Sequence, residues 1–294
     1  MEMITSVFEI SKEFMENARY VDILGENVEA LANEMSKTGI TPFPPQSTGE
    51  NERHIVIKEL VASSINYCYW YGKSTIRPGG CGSGLMYDLV NEAFTGYDPH
   101  GYSTSAKANI DRLTMKLALN RFPLLEERIK HLTEVAIMGE SLVSHIHTGY
   151  FNNQLKPEND GYVYLRTLIE NFPGFASDIF LKRASLFFLQ LYRRLGWYKD
   201  MMLYLPIPAD YQVPKMLRHF GCIRYLDPLR TLVDNQHLIP KNELMECEIR
   251  AATIVVCSEL QSKTGWNASE IDSWLWLRRK ECNDPFHLTI TTDY

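Results

Sequence analysis

Asp210 is the single carboxylate in the run Leu205-Pro206-Ile207-Pro208-Ala209-Asp210-Tyr211-Gln212-Val213-Pro214. Pro206, Pro208 and Pro214 fix their own φ and donate no backbone hydrogen bond, so they stiffen the segment. Pro208 also biases Ile207 away from helix. A carboxylate held rigidly among apolar residues costs free energy unless it is hydrogen-bonded or used. Asp210 is therefore the leading catalytic candidate, as a general base or an electrostatic stabiliser of developing positive charge. The competing reading is a turn or helix-capping aspartate, because Val213-Pro214 can open a helix.

Other groupings could bind or orient a substrate. Lys182 and Arg183 sit within Ile179-Phe180-Leu181-Lys182-Arg183-Ala184-Ser185-Leu186-Phe187-Phe188. Neighbours on a helix project about 100° apart, so the two cations are not expected to share one face. An inward lysine needs a carboxylate or phosphate partner, and a snorkelling pair at an exposed edge is the alternative. Glu246 and Arg250 are spaced i, i+4 and can form a surface helix pair. Glu248 points toward the side carrying Ala251 and Val255, where it needs a donor. Asn66-Tyr67-Cys68-Tyr69-Trp70 places an amide and an aromatic at i, i+4 on an expected helix, the geometry for binding a planar base by its edge and face. Asp272 and Trp276 repeat that spacing. Core packing accounts for these aromatics nearly as well.

No metal site is expected. His145 and His147 diverge on a helix, and His219, His237 and His287 lack ligand spacing. There is no HExxH, no His/Cys/Cys deaminase pattern and no GxSxG elbow. The run Pro78-Gly79-Gly80-Cys81-Gly82-Ser83-Gly84 lacks GxxxxGK[ST] and follows a helical pattern, so it reads as a turn that admits close backbone approach.

The elements that must carry these residues are helical nearly throughout. Apolar periodicity predicts helices over 7–36 with a break near Gly25, 55–70, 85–94, 105–119, 124–146, 161–171, 178–195, 214–220, 228–235, 241–262 and 268–280. Thr41 to Gly49 reads as a loop. Start signals stand at Pro123, Asp227-Pro228, Pro240 and the capping box Asn267…Glu270. At most one short hairpin is expected, with an extended tail over Leu288–Thr291. The expectation is an all-α single domain over 1–294, with an N-terminal helix and loop over 1–50 and a core over 51–294.

The 294 residues are 45% hydrophobic and 22% charged, ordinary for a globular protein. A net charge of −6 argues against a broad duplex-binding face, so no DNA partner is expected. The six cysteines have no CxxC pair and read as reduced, buried thiols, which suggests a cytoplasmic setting. No apolar run approaches the ~20 residues that span a membrane, and no secretory signal pattern opens the chain.

Several blocks together resemble the queuosine salvage family, the queuosine 5′-phosphate N-glycosylases. They are Asn66-Tyr67-Cys68-Tyr69-Trp70, Pro123-Leu124-Leu125-Glu126-Glu127-Arg128, Asn171-Phe172-Pro173, Leu181-Lys182-Arg183-Ala184, Pro208-Ala209-Asp210-Tyr211-Gln212-Val213-Pro214, Glu246-Cys247-Glu248-Ile249-Arg250, Leu275-Trp276 and Pro285-Phe286-His287. Each is weak alone, and they run in the family's order from about Ile57 onward.

The resemblance implies a helical domain akin to helical DNA glycosylases. It also implies hydrolysis of queuosine 5′-monophosphate to queuine and ribose 5-phosphate without metal or cofactor, with no obligate protein partner. It assigns catalysis to Asp210. The expected substrate set is Asn66 or Asp272 on the base edge, Trp70 and Trp276 on the base face, Lys182 on the 5′-phosphate and Glu248 on the substrate's ammonium, completed by Tyr211 and Arg250. Two departures bear on substrate range: Gln212 stands where the family usually has Arg, and the Gly79–Gly84 region is divergent. A nucleosidase for another modified purine is one alternative. A non-catalytic module binding a modified base or RNA is the other, although so acidic a chain is poorly suited to extended RNA.

Overall fold

A computed structural model of the chain describes residues 2–43, 51–71, 82–96, 106–152 and 157–294. The helices are α1 (Glu2–Glu16), α2 (Gly25–Thr38), α3 (Glu52–Ser64), α4 (Gly82–Ala93), α5 (Ala106–Leu119), α6 (Leu125–Asn152), α7 (Pro157–Asn171) and α8 (Pro173–Ala176), followed by α9 (Lys182–Leu195), α10 (Gln212–His219), α11 (Leu229–Asp234), α12 (Leu244–Thr264) and α13 (Ala268–Arg278). Two short strands, β1 (Val21–Ile23) and β2 (Ile223–Tyr225), pair antiparallel with Asp22 opposite Arg224. The all-α expectation holds. The sheet is not a hairpin, because its strands come from opposite ends of the chain. The expected extended tail makes an isolated parallel bridge, Leu238 with Leu288.

Two helices organise the packing. α12 meets α1, α2, β1, α10 and α13, and α3 meets α4, α6 and α9. Both are buried on nearly every side over most of their length. In α3 every residue from Ile55 to Ser64 is buried, including Lys58 and Glu59. In α12 the buried set includes Glu246, Glu248 and Arg250 among the aliphatic residues. A helix buried nearly all round belongs in a core, and these two form its centre.

Local chemistry sets several boundaries. The capping box is present at α13: Asn267 accepts from the Glu270 amide and the Glu270 carboxylate accepts from the Asn267 amide, worth about 1 kcal/mol. Pro228 precedes α11, and Pro240 stands four residues ahead of α12 rather than opening it. The expected helix over 55–70 stops at Ser64, and residues 65–71 are irregular. Pro78–Cys81, the remainder of the Thr41–Gly49 loop beyond Phe43, and the side chains of His145 and His147 lie outside the described residues.

Candidate active site

The early end of α3 creates the first half of the site. The last carbonyls of a helix have no partner within it, and they carry the negative end of the helix dipole. Here they are buried, so the protein must supply donors. Three cations do so. Arg183 Nη1 donates to Ser64 O at 2.5 Å. Arg128 donates to the carbonyls of Ile65 and Tyr67. Lys182 Nζ donates to Asn66 O at 2.7 Å and Asn66 Oδ1 at 2.9 Å. Four consecutive carbonyls are thus pinned, and the strap Ser64–Tyr67 is fixed against α6 and α9.

This overturns two sequence expectations. Lys182 and Arg183 are both buried, at 3% and 2% exposure, because they reach different carbonyls of one strap from different directions around α9. Asn66 and Trp70 do not share a helix face. Asn66 turns its amide oxygen to Lys182, while half-buried Trp70 stands edge-on to Tyr71, with ring centroids 6.0 Å apart.

The second half is the proline-stiffened segment. Asp210 Oδ1 accepts the amides of Gln212 at 2.7 Å and Val213 at 3.1 Å. That bonds it to the first turn of α10, so the capping reading is correct as geometry. It leaves Oδ2 without a hydrogen bond among the described residues. Asp210 is half-buried by surface and enclosed by protein around its carboxylate. Burial pushes its pKa up, and the Lys182 ammonium and the two amides pull against that rise. Burial in turn brings Lys182 down to about 8, with Asp210 the largest force opposing the fall. Each charge is the main electrostatic support of the other.

A buried ion pair sets the two halves in register. Asp178 accepts both Nη atoms of Arg250, at 2.8 and 2.7 Å, and the backbone amides of Phe180 and Lys182, at 3.0 and 2.8 Å. Arg250 Nε donates to Ala209 O at 3.0 Å, the carbonyl just before Asp210. Its guanidinium lies over the rings of Tyr294 and Phe180, at 4.3 and 4.7 Å. One pair therefore holds the start of the Lys182 helix and the backbone of Asp210 together. The turn it caps includes Leu181 at φ +54°, a left-handed conformation costing roughly 1–2 kcal/mol for such a residue. Burial opposes charge on Asp178, yet Arg250 and the amides outweigh it and hold its pKa below the usual range. Sequence reasoning missed Asp178. Its only signal was a carboxylate placed just ahead of an apolar helix that carries two cations.

The remaining predicted residues have other partners. Arg250 is spent on Asp178 and Ala209, and Glu246, 3.6 Å from it, is buried rather than on a surface pair. Glu248 accepts the amides of Arg19, Tyr20 and Val21, at 2.9, 2.7 and 3.1 Å. It anchors the segment leading into β1, away from Asp210. Asp272 binds Arg193 at 2.7 Å and contributes repulsion at Asp210. Tyr211 is buried against Phe286, with centroids 4.8 Å apart. Trp276 packs against Phe43 and under the Arg279 guanidinium, which lies 3.2 Å from its ring centre. A cavity of about 370 Å³, lined by Phe43, Gln190, Arg193, Ser269 and Ser273 among others, does not include Asp210 or Lys182 in its wall. Among the described residues no helix is long and apolar enough to cross a membrane.

The fold and site define a helical protein in which a buried lysine, Lys182, acts electrostatically on a carboxylate, Asp210, held by backbone amides. The family model described as queuosine salvage protein matches residues 48–292, and the chain belongs to that family. Its relatives include queuosine 5′-phosphate N-glycosylase/hydrolases. That of Sphaerobacter thermophilus is 26% identical over 98% of this chain and 97% of its own length. That of Dictyostelium discoideum is 26% identical over 80% and 77%, and that of Mus musculus is 23% identical over 78% and 79%.

Proposed function

We propose that this chain hydrolyses the N-glycosidic bond of queuosine 5′-monophosphate, releasing queuine and ribose 5-phosphate. Family membership over most of the chain supports the substrate class. The observation that carries the chemistry is Asp210, with one carboxylate oxygen tied to the first turn of α10 and the other making no hydrogen bond among the described residues.

Breaking an N-glycosidic bond leaves positive charge on the ribose, as in other glycoside cleavages. A carboxylate whose orientation is already fixed stabilises that charge without reorganising. Oδ2 can also hold the attacking water and take its proton as the new C1′–O bond forms. The proton passes finally to the departing base nitrogen. Queuine is a 7-deazapurine and offers no N7 to protonate, so departure depends on ring positions bound at the base edge.

Lys182 has a second use beside the 5′-phosphate role that the resemblance implies. Two of its three N–H groups are committed to Asn66. Its charge favours the ionised form of Asp210, and its remaining N–H, without a partner among the described residues, can donate to a substrate oxygen. Asn66, whose Oδ1 is occupied by Lys182, keeps its amide N–H groups for the substrate.

The test is incubation of purified chain with queuosine 5′-monophosphate, following free queuine by chromatography, beside the Asp210→Asn variant. Loss of one such electrostatic group is expected to lower kcat by about 10²–10³. No queuine from the folded wild type would refute the substrate, and equal release by Asp210→Asn would refute the role of the carboxylate.

A further inference from the structure

α10 presents its first amides to Asp210 and ends, roughly 10 Å along its axis, at His219. Spacing in sequence gives His219 no companion, since Asp284 lies 65 residues away. The fold brings it two. His219 Nδ1 stands 3.2 Å from Asp284 Oδ2, and Cys282 Sγ stands 3.4 Å from the same oxygen. The three donor atoms lie within 4.8 Å of one another. We propose that His219, Cys282 and Asp284 form a binding site for a borderline divalent metal ion, Zn²⁺ foremost, which fastens the last turn of α10 to the segment after α13.

Donor chemistry selects the class of ion. One imidazole nitrogen, one thiol and one carboxylate suit Zn²⁺ and its neighbours, and an all-oxygen set would suit Mg²⁺ or Ca²⁺. The two separations to the shared carboxylate oxygen fit as well. Ordinary zinc bond lengths in a tetrahedron put nitrogen and oxygen ligands about 3.4 Å apart and sulfur and oxygen ligands about 3.6 Å apart. Both observed separations are shorter by only about 0.2 Å, which the side chains can open without moving backbone. The present contacts are hydrogen bonds made through protons, and a metal would take the protons' place.

Charge and access agree with this reading. Binding removes the thiol proton to solvent, so thiolate, carboxylate and neutral imidazole hold a dication in a neutral site. The Asp284 amide already faces the Cys282 sulfur as a donor, an outer contact typical of metal thiolates. Lys215, one helical turn before His219, donates to the carbonyls of Arg279 and Cys282, at 2.7 and 3.1 Å. It fixes the segment that carries the cysteine. Its ammonium favours the thiolate and opposes the dication, and the two anionic ligands outweigh that repulsion. The side chains of His219 and Asp284 are 41% and 48% exposed, so an ion can enter from solvent and water can complete its coordination. Cys282 is buried at 4% exposure, so its reach is set by the fold.

The experiment is titration of chelator-treated full-length chain with Co²⁺, reading the near-ultraviolet thiolate-to-cobalt band and the visible bands of tetrahedral cobalt. A saturable band with one equivalent of ion, displaced by Zn²⁺ and absent from both Cys282→Ser and His219→Ala, is the expected result. His219 is partly exposed, so His219→Ala remains folded even if the cysteine variant does not. Zn²⁺ should also raise the Tm of wild type and leave that of His219→Ala unchanged. A wild-type spectrum without a thiolate band, or a band that persists in His219→Ala, would overturn the proposal.

Discussion

Replacing Asp178 by Asn tests whether the buried pair with Arg250 is what makes the site. The substitution keeps shape and removes charge. Asp178 and Arg250 are each 2% exposed. In the variant the guanidinium stays buried with Glu246 at 3.6 Å as its nearest carboxylate. Stranding one partner of a buried pair typically costs about 3–5 kcal/mol. A domain stable by about 5–15 kcal/mol survives this at low temperature with a lowered denaturation midpoint. The site should suffer more than the fold. Asp178 positions the Lys182 amide directly and the Ala209 carbonyl through Arg250 Nε, so the backbones that carry Lys182 and Asp210 both lose their anchor. Displacement of a reacting group by about 1 Å is worth around 10²-fold in rate. We expect kcat to fall ten- to a hundredfold with KM changing less, in the hydrolysis assay run well below the variant's Tm. The double variant Asp178→Leu, Arg250→Met should regain part of the stability, since apolar pairs often replace buried ions without loss, and should regain no activity. Wild-type kcat in a destabilised Asp178→Asn would reduce the pair to a structural role. An unchanged denaturation midpoint would refute the energetic argument itself.

The Asp210–Lys182 coupling should produce a bell-shaped dependence of kcat/KM on pH. Asp210 must be ionised and burial raises its pKa, so the acid limb lies above the ordinary carboxylate range; Lys182 loses its proton near pH 8, so the alkaline limb lies there and should disappear in Lys182→Met. A profile flat from pH 5 to 10 would be incompatible with this pairing. His131 and His287 should make the fold acid-labile. Burial lowers both from 6.5 to about 3, Arg183 adding to the effect at His131 and Arg250 at His287. The unfolded chain therefore binds more protons than the folded chain between those values, and stability falls as pH drops below 6.5, by up to about 1.4 kcal/mol per pH unit for each. The urea midpoint should drop between pH 7.5 and 5, and less steeply in His287→Asn.

Particular residues show why some of this was legible in sequence and some was not. Asn267 and Glu270 mark the start of α13 because a capping box is a contract between residues three apart, wholly contained in local sequence. The stiffness around Asp210 is local too, because each proline restricts its own φ. The end of α3 is different. Nothing between Ile55 and Trp70 stops an apolar helix, and the helix stops at Ser64 because cations from α6 and α9 take over its carbonyls. Periodicity cannot anticipate a helix end whose partners lie over sixty residues away. The same holds for Glu246 and Arg250. Their i, i+4 spacing reads as a surface pair, and only the approach of Asp178 and the rings of Phe180 and Tyr294 makes burial of those charges tolerable.

Lys182 and Arg183 show how that long-range burial becomes chemistry. A helix cannot point two adjacent side chains in one direction, so the sequence argument allowed one of them inside. Both are inside because the strap after α3 curls around the start of α9 and offers carbonyls on two sides. Holding the strap required cations in a buried place, and one of those cations, Lys182, had a hydrogen bond to spare beside Asp210. The ammonium that satisfies a helix end is then also the charge that favours the ionised form of the carboxylate. Its pKa near 8 measures the compromise, lowered by the burial that the strap demands and upheld by Asp210. On the proposed chemistry each of these charges serves both folding and reaction, so such a site cannot be loosened at one contact alone.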